Sequence, residues 1–400
     1  MNGSTVRLVD LCELIAEPVR PGTRPGALYL GLEHLASGRL SRIGGGQASD
    51  MRSTTSAFQP GDVLYGKLRP YLDKAILAEG AGVCTTELLV LRAQECVDSR
   101  FLAAILHSPR FVEHAVAGTT GVQHPRTSWA HVREFEVPAL SFGEQRQVAD
   151  VLWLVHEVIR RSETLVEEGQ GLKRAAMRTL FTRGLCGEPQ KETEIGPVPG
   201  SWEVASIDDV AVTTQYGLSM RGQPSGAYPI LRMNCQEDGK VHYRDIQFVE
   251  LDSESYERFQ VKPGDLLFNR TNSIELVGRM AIVEDDRPAV FASYLVRLVV
   301  DNNRCIPEFL NYFMNWPRTQ EEIKKLASRA VGQANINATK LRTVLFPLPT
   351  KDEQQEIVAN LDAIDRQIDL HRRKRTVLEE LFKALLHKLM TGEVRAEELG

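Results

Sequence analysis

Two stretches of the chain place apolar residues at alternating steps of four and three. The first runs Val148, Leu152, Val155, Ile159, Ser162, Val166, Gly169, Lys173, Ala176, Leu180; the second runs Ile357, Leu361, Ile364, Ile368, His371, Arg375, Leu378, Phe382, Leu385, Leu389. That spacing predicts two long helices, each with a seam that must be covered. Both seams turn polar over the same middle stretch, and a shared flaw points to the helices pairing with each other. Short flanking segments favour an antiparallel pair, because each helix hands the chain to a separate globular part. The alternative is that each stripe packs on its own domain. A helix of ~38 residues spans roughly 57 Å.

Shorter apolar runs bounded by turn residues fill the rest. The Pro60-Gly61-Asp62 turn opens a strand Val63–Tyr65, Thr86–Leu91 reads as a second buried strand, and Asp98 caps a helix holding Phe101, Leu102, Ile105 and Leu106. Further on, Leu266–Phe268 and Tyr294–Val300 read as strands, and Pro307 occupies the first turn of a helix holding Phe309, Leu310 and Phe313. Each globular part is expected to be α+β with a curved, mostly antiparallel sheet. The expected organisation is a globular domain over 1–141, a helix over 142–188, a second domain over 189–350 and a second helix over 351–400.

An internal repeat underlies this order. Val137-Pro138-Ala139-Leu140 followed by Glu144-Gln145 returns as Phe346-Pro347-Leu348-Pro349 followed by Glu353-Gln354, an offset of 347 − 138 = 209 that continues through Leu152/Leu361, Ile159/Ile368, Leu172/Leu381, Ala175/Ala384 and Leu180/Leu389. Upstream the likeness is weaker but ordered. Pro60-Gly61-Asp62 answers Pro263-Gly264-Asp265, Ser108-Pro109-Arg110 answers Trp316-Pro317-Arg318, and Gly121-Val122-Gln123 stands where Val331-Gly332-Gln333 stands.

Composition narrows the class. A 400-residue chain with 42% apolar and 25% charged residues suits two folded domains. Met1–Asp10 lacks a leader pattern and no apolar run approaches the ~18 residues that cross a bilayer, so a cytoplasmic protein with no membrane partner is expected. Cys12, Cys84, Cys96, Cys186, Cys235 and Cys305 are far apart and form no metal-ligand spacing, which reads as six buried free thiols and no bound metal. A net charge of −5 confines any nucleic-acid contact to local basic surfaces.

No catalytic motif emerges. Gly61 to Lys67 has phosphate-loop spacing, but Leu68 stands where Ser or Thr would ligate magnesium and the centre alternates like a strand. There is no Asn-Pro-Pro-aromatic element for amino-methyl transfer, no His-Glu-x-x-His and no Gly-x-Ser-x-Gly; histidines are scattered singly. Side chains suited to base edges and phosphates gather instead near strand ends: Lys67, Arg69, Tyr71, Lys74, Gln123, His124 and Arg126 in the first part, and Arg232, Asn234, Arg270, Asn272, Gln333, Asn335, Asn337 and Lys340 in the second.

The paired Pro-then-Glu-Gln entries, the Pro-Gly-Asp turns and the Gly332-Gln333 element together resemble the specificity (S) subunits of type I restriction-modification systems, over essentially the full chain; Gly121-Val122-Gln123 departs from the last of these. The resemblance implies two target-recognition domains that each read half of a bipartite double-stranded DNA site, with an antiparallel coiled coil fixing the gap. It implies a non-catalytic chain that binds no cofactor directly. S-adenosylmethionine would belong to two partner modification (methyltransferase) subunits, ATP and Mg to partner restriction (motor and nuclease) subunits. Val151, Trp153, Leu154 and Val158 are candidate docking residues for such partners. Competing readings are a coiled-coil scaffold that touches no DNA, a DNA-mimicking inhibitor, which would need carboxylate runs absent here, and a self-sufficient methyltransferase or nuclease.

Overall fold

In the computed structural model, which describes residues 4–330, 332–391 and 393–394, Gly61 and Gly264 take φ values of 87° and 89°. This left-handed conformation favours glycine and explains its place in each Pro-Gly-Asp turn. The two turns are wired alike. The Gly61 N–H donates to the Ala78 carbonyl and Ala78 donates back to the Asp62 carbonyl, both at 2.8 Å; Gly264 and Val283, then Val283 and Asp265, do the same at 2.9 Å. The Asp62 carboxylate is buried, accepts the Gln59 N–H at 2.8 Å and forks with Arg92. Asp265 accepts the Lys262 N–H at 2.9 Å, with Arg297 at 3.6 Å, and burial raises its carboxyl above the usual range. The tripeptide is therefore a sheet-entry turn in both copies.

The chain divides into two units, one formed by 1–165 with 371–400 and the other by 166–370. In the first, an antiparallel sheet runs in the order Cys12–Ile15, Leu88–Ala93, Val63–Gly66, Ala75–Leu77. A second sheet of five short strands is built from Pro18–Val19, Thr55–Phe58, Gly82–Thr85, Leu28–Leu30 and Gly46–Gln47. The predicted strand from Thr86 begins at Leu88, because Thr86 and Glu87 form the turn that joins the two sheets. Val63–Gly66 is a buried central strand, so the segment with phosphate-loop spacing has its amides engaged in pairing.

The second unit repeats the main sheet as Ala211–Tyr216, Leu295–Val300, Leu266–Asn269, Met280–Ile282, extended by Lys240–Val241 and Gln236–Glu237. It adds a three-stranded sheet of Gln247–Val249, Tyr228–Leu231 and Val290–Phe291. The expected head helices are present as Ser99–Ile105, where Asp98 accepts the Arg100 N–H at 2.8 Å, and Pro307–Asn315 with proline at its start. Cys12, Cys84, Cys235 and Cys305 are buried, whereas Cys96 and Cys186 lie exposed in turns next to helices, contrary to the expectation for all six.

The long helices span Phe142–Arg183 and Lys351–Thr391. Each unit holds the first part of one helix and the last part of the other, so the pair runs antiparallel. In the first unit Val148, Ala149, Leu152 and Ile159 share a core with Phe382, Leu386, Leu389 and Met390 and with the head residues Phe101, Leu102 and Phe111. In the second, Met177, Phe181, Ile357 and Leu361 join Phe309, Phe313 and Trp316, with the Phe181 ring 5.4 Å from that of Phe313 in an edge-on contact. Both expected ways of covering the seams operate: the helices pair, and their ends enter the head cores. The buried face drifts accordingly. Met177, Phe181 and Leu386 are buried where strict heptads point to Ala176, Leu180 and Leu385, the drift a 3.6-residue helix makes against a 3.5-residue repeat.

The polar middle of the seam is also accounted for. In the second unit a Cβ on Gly169 would lie 2.8 Å from Ile368 Cγ1, so glycine permits the close approach there. One turn on, the Lys173 ammonium sits 2.7 Å from the Asp365 carboxylate and over the Tyr312 ring, whose hydroxyl lies 2.6 Å from Asp362 and 2.7 Å from Asp365. In the first unit Arg39, from a head loop, bonds Glu163 of one helix and Glu379 of the other, the latter at 2.8 Å.

Candidate nucleic-acid interface

In the first unit the chain leaves the Val63–Gly66 strand into Lys67–Leu72, where Arg69 takes φ 51° before a short 3-10 turn. The returning segment after the helix Pro109–Ala117 closes a tight loop, with Thr120 and Arg126 exchanging N–H to carbonyl bonds at 2.9 and 3.0 Å. The two segments are joined: Arg69 N–H donates to the Pro125 carbonyl at 2.7 Å, Thr127 N–H to the Lys67 carbonyl at 3.0 Å, and the Arg69 guanidinium to the Gln123 carbonyl at 3.4 Å. Lys67, Arg69, Gln123, His124 and Arg126 thus share one surface, with Tyr71 exposed beside Arg69.

The loop is stapled at its base. His114 and His131, two of the histidines read as isolated, stack with ring centroids 4.3 Å apart, and the Nε2 of each bonds the backbone carbonyl of the other at 3.1 and 2.8 Å. Gly118 is required here, since a Cβ would fall 1.9 Å from the His131 ring.

The second unit repeats the construction. Arg270 N–H donates to the Tyr294 carbonyl at 3.0 Å, and the Arg270 carbonyl accepts the Ile336 N–H at 2.8 Å, matching Lys67 and Thr127. Thr271–Asn272 pairs with Gln333–Asn335, which pairs with Ser328–Ala330. This small sheet brings Arg270, Asn272, Gln333, Asn335, Asn337 and Lys340 together; Val331 lies outside the described residues. Arg232 and Asn234 sit on a separate 3-10 turn at Met233–Cys235, connected to the cluster through the backbone, as Leu231 accepts the Ala292 N–H and the neighbouring Ser293 carbonyl accepts the Arg270 guanidinium at 3.2 Å.

Several side chains have structural work. Asn337 caps the helix Ala338–Arg342 by accepting the Lys340 N–H at 2.8 Å, as Ser128 caps Trp129–Val132 in the first unit. Asn335 donates to Thr271 Oγ1 at 2.7 Å, and Asn272 accepts the Ser273 N–H at 2.8 Å. Arg126 pairs with Glu87 at 3.0 Å, which offsets its charge. Five other cations bond neutral oxygens: Arg69 as above, Lys74 to Leu32 at 2.7 Å, Arg232 to Asp245 carbonyl at 3.1 Å, Arg270 to Ser293, and Lys340 to Leu326 at 2.7 Å. Among the described residues none of the five forms an ion pair with a carboxylate, so their positive charge is held in place and suits phosphates.

Sequence reading missed Tyr216. Its exposed ring lies under the Arg270 guanidinium at 4.8 Å, and its hydroxyl accepts the Ala338 N–H at 2.9 Å. No local signal marks it, because the partner is 270 − 216 = 54 residues away.

Among the described residues no group of three or more His, Cys, Asp or Glu is placed to hold a metal ion, and no helix is long and apolar enough to cross a membrane. Of the residues considered for docking, Leu154 is exposed, whereas Val151, Trp153 and Val158 are half-buried and Trp153 packs on the core of the first unit.

Residues 199–380 match the model of the type I restriction modification DNA specificity domain. The chain is 25% identical over 290 residues to the type I restriction enzyme MjaVIII specificity subunit of Methanocaldococcus jannaschii, covering 70% of this chain and 67% of that one. It is 24% identical over 322 residues to the EcoKI specificity subunit of Escherichia coli, covering 77% and 68%. A further M. jannaschii sequence, provisionally named as the MjaX specificity subunit, is 31% identical over 207 residues, covering 51% of this chain and about half, 49%, of that one. In fold the chain resembles the type I restriction-modification S subunit from M. genitalium, with a TM-score of 0.62 at 13% identity over 98% of this chain and 96% of that one. It also resembles a chain solved in work on complex assembly and conformational transition of the type I system, with a TM-score of 0.59 at 20% identity over 98% and 99%.

Proposed function

We propose that the chain is a DNA specificity subunit of a type I restriction-modification system, the family it resembles in sequence, and that it reads both halves of a bipartite DNA site while performing no chemistry itself. In this reading residues 1–141 and 189–350 are the recognition domains, and 142–188 and 351–400 are the connector helices whose pairing sets the gap. The observation that carries the reading is the twofold recurrence of one construction. In each unit the strand after Pro-Gly-Asp is followed at once by a basic residue, Lys67 or Arg270, tied by its carbonyl to a returning loop rich in Gln, Asn and His. Arg, Gln and Asn suit base edges, and cations bonded to neutral oxygens suit phosphates.

The chain would direct adenine methylation by two modification subunits that bring S-adenosylmethionine, and cleavage by restriction subunits that bring ATP and Mg, all in the cytoplasm. Sharing phosphate contacts with those partners makes a net charge of −5 tolerable. The deciding experiment is methylome sequencing of a host carrying this chain and its modification subunit, against a host lacking this chain alone. A methyladenine pattern at a bipartite motif that disappears with the chain is the expected result; an unchanged methylome with the chain expressed would favour a scaffold that does not touch DNA.

A further inference from the structure

An arginine fixed over an aromatic ring with one end of its fork unspent is built to recognise something planar. Arg270 is held from three sides. Its backbone N–H and carbonyl are bonded to Tyr294 and Ile336 at 3.0 and 2.8 Å, its Nη1 donates to the Ser293 carbonyl at 3.2 Å, and its guanidinium lies 4.8 Å from the Tyr216 ring centroid. Tyr216 is itself anchored. It ends the strand Ala211–Tyr216, opposite Val296, and its hydroxyl accepts the Ala338 N–H at 2.9 Å, the first residue of the helix that Asn337 caps. The ring is 42% exposed, so core packing does not explain its position.

This arrangement spends one Nη1 hydrogen of Arg270 on Ser293; Nε is buried without a hydrogen-bond partner and Nη2 has none among the described residues, so the fork that remains is the second Nη1 hydrogen with those of Nη2. Freezing a long side chain ordinarily costs binding energy when a complex forms; here the ring and the carbonyl have frozen it beforehand. A planar fork held in one orientation matches two acceptors fixed side by side, and in the major groove that pair is guanine O6 and N7. A phosphate would need only the charge, which a lysine such as Lys67, the counterpart of Arg270 in the first unit, supplies.

Resting on the function proposed above, we infer that Tyr216 is a positioning residue that holds Arg270 to read a guanine in the half-site taken by the second recognition domain. The test uses this chain assembled with its modification subunit and duplexes carrying the methylated motif, each guanine replaced in turn by 7-deazaguanine, which lacks the N7 acceptor. With wild type, one guanine in one half-site gives a penalty of about tenfold in Kd. Arg270→Ala weakens the unmodified duplex by about 5- to 150-fold and abolishes that penalty. Arg270→Gln, which removes the charge and the guanidinium fork, also abolishes it. Tyr216→Ala costs about 2- to 10-fold and shrinks the penalty, while Tyr216→Phe, which keeps the ring, preserves it. The inference is overturned if the guanine penalty survives Arg270→Ala, if Arg270→Ala weakens all sequences alike as a phosphate contact would, or if Tyr216→Ala leaves the penalty whole. Loss of sequence selectivity in the wild-type complex itself would instead overturn the function on which the inference rests.

Discussion

Gln354 makes in the second unit the bonds that Gln145 makes in the first, 354 − 145 = 209 residues earlier. Gln145 accepts the Asp98 N–H at 3.1 Å and donates to the Leu140 carbonyl at 3.0 Å. Gln354 accepts the Ile306 N–H at 2.8 Å and donates to the Pro349 and Arg304 carbonyls at 3.0 and 2.9 Å. Asp98 and Ile306 are the N-cap residues of the two head helices. The repeated glutamine therefore fastens the start of each long helix to the backbone of its own head, which gives the Glu-Gln repeat a physical cause.

Replacing either glutamine by leucine orphans buried backbone groups. Gln354→Leu removes three hydrogen bonds and should cost about 2–4 kcal/mol. For a unit of this size that lowers the melting temperature by roughly 5–10 °C. Gln145→Leu, with two bonds, should cost less. Calorimetry of both variants checks this, and melting within 1 °C of wild type for Gln354→Leu would show that the bonds contribute nothing net.

The stability of the first unit should fall with acid through His156. This ring is buried and hydrogen-bonded to Ser41 at 3.1 Å; burial first, then the charges of Arg39, Arg160 and His107, push its pKa down to about 4. The unfolded chain takes up the proton near 6.5 and the folded one near 4, so stability is lost as pH falls from 6.5 towards 4 and changes no further below. At pH 5 the loss relative to neutral pH is about 2 kcal/mol. Urea unfolding at the two pH values should show that loss in wild type and its absence in His156→Gln; equal slopes in both proteins would refute the assignment.

How much of this was visible in the sequence follows from where each signal resides. The long helices and the Pro-Gly-Asp turns depend on period and on a local φ requirement, which neighbouring residues carry. The seam drift to Phe181 and Leu386 was hidden, because strict heptads ignore the pull of a head core on a helix end. The five-stranded sheet was hidden too: Pro18–Val19 and Gly46–Gln47 are two-residue strands with no periodicity to read. For the interface, residue type picked out the segments that the fold assembles into two loops. It could not reveal that Asn337 serves as a cap, that Arg126 is neutralised by Glu87, or that Tyr216 backs Arg270, since each depends on a partner that only the fold supplies.

The helix pair makes a quantitative claim about spacing. Because Gly169 faces Ile368 and Lys173 faces Asp365, an insertion in one helix alone would shear this register. Seven residues inserted in both, after Leu165 and after Leu370, should keep the pairing and add about 10 Å, or about 3 base pairs of gap. Methylome sequencing reads the gap directly. A gap that stays the same in a folded, active double insertion would mean that something other than the helices measures it.

The two loops should fail independently. Gln123 and His124 are exposed at the tip of a loop whose ends are pinned by the Thr120–Arg126 bonds and the His114–His131 stack, so truncating them leaves the loop backbone in place. Gln123→Ala with His124→Ala should relax base preference in one half of the methylated motif by about 1–3 kcal/mol per lost base contact and leave the other half intact. Arg270→Ala with Asn272→Ala should do the converse. The cations separate in another way. Arg69→Gln, which removes a charge resting on a carbonyl, should reduce the salt slope of DNA binding by about one, whereas Arg126→Gln, already paired with Glu87, should change it less. Methylome motifs and salt titrations of the four variants test the scheme. Equal degradation of both halves by either pair would contradict independent reading, because each loop belongs to a unit with its own core, and nothing in the loop tip is needed to hold that core together.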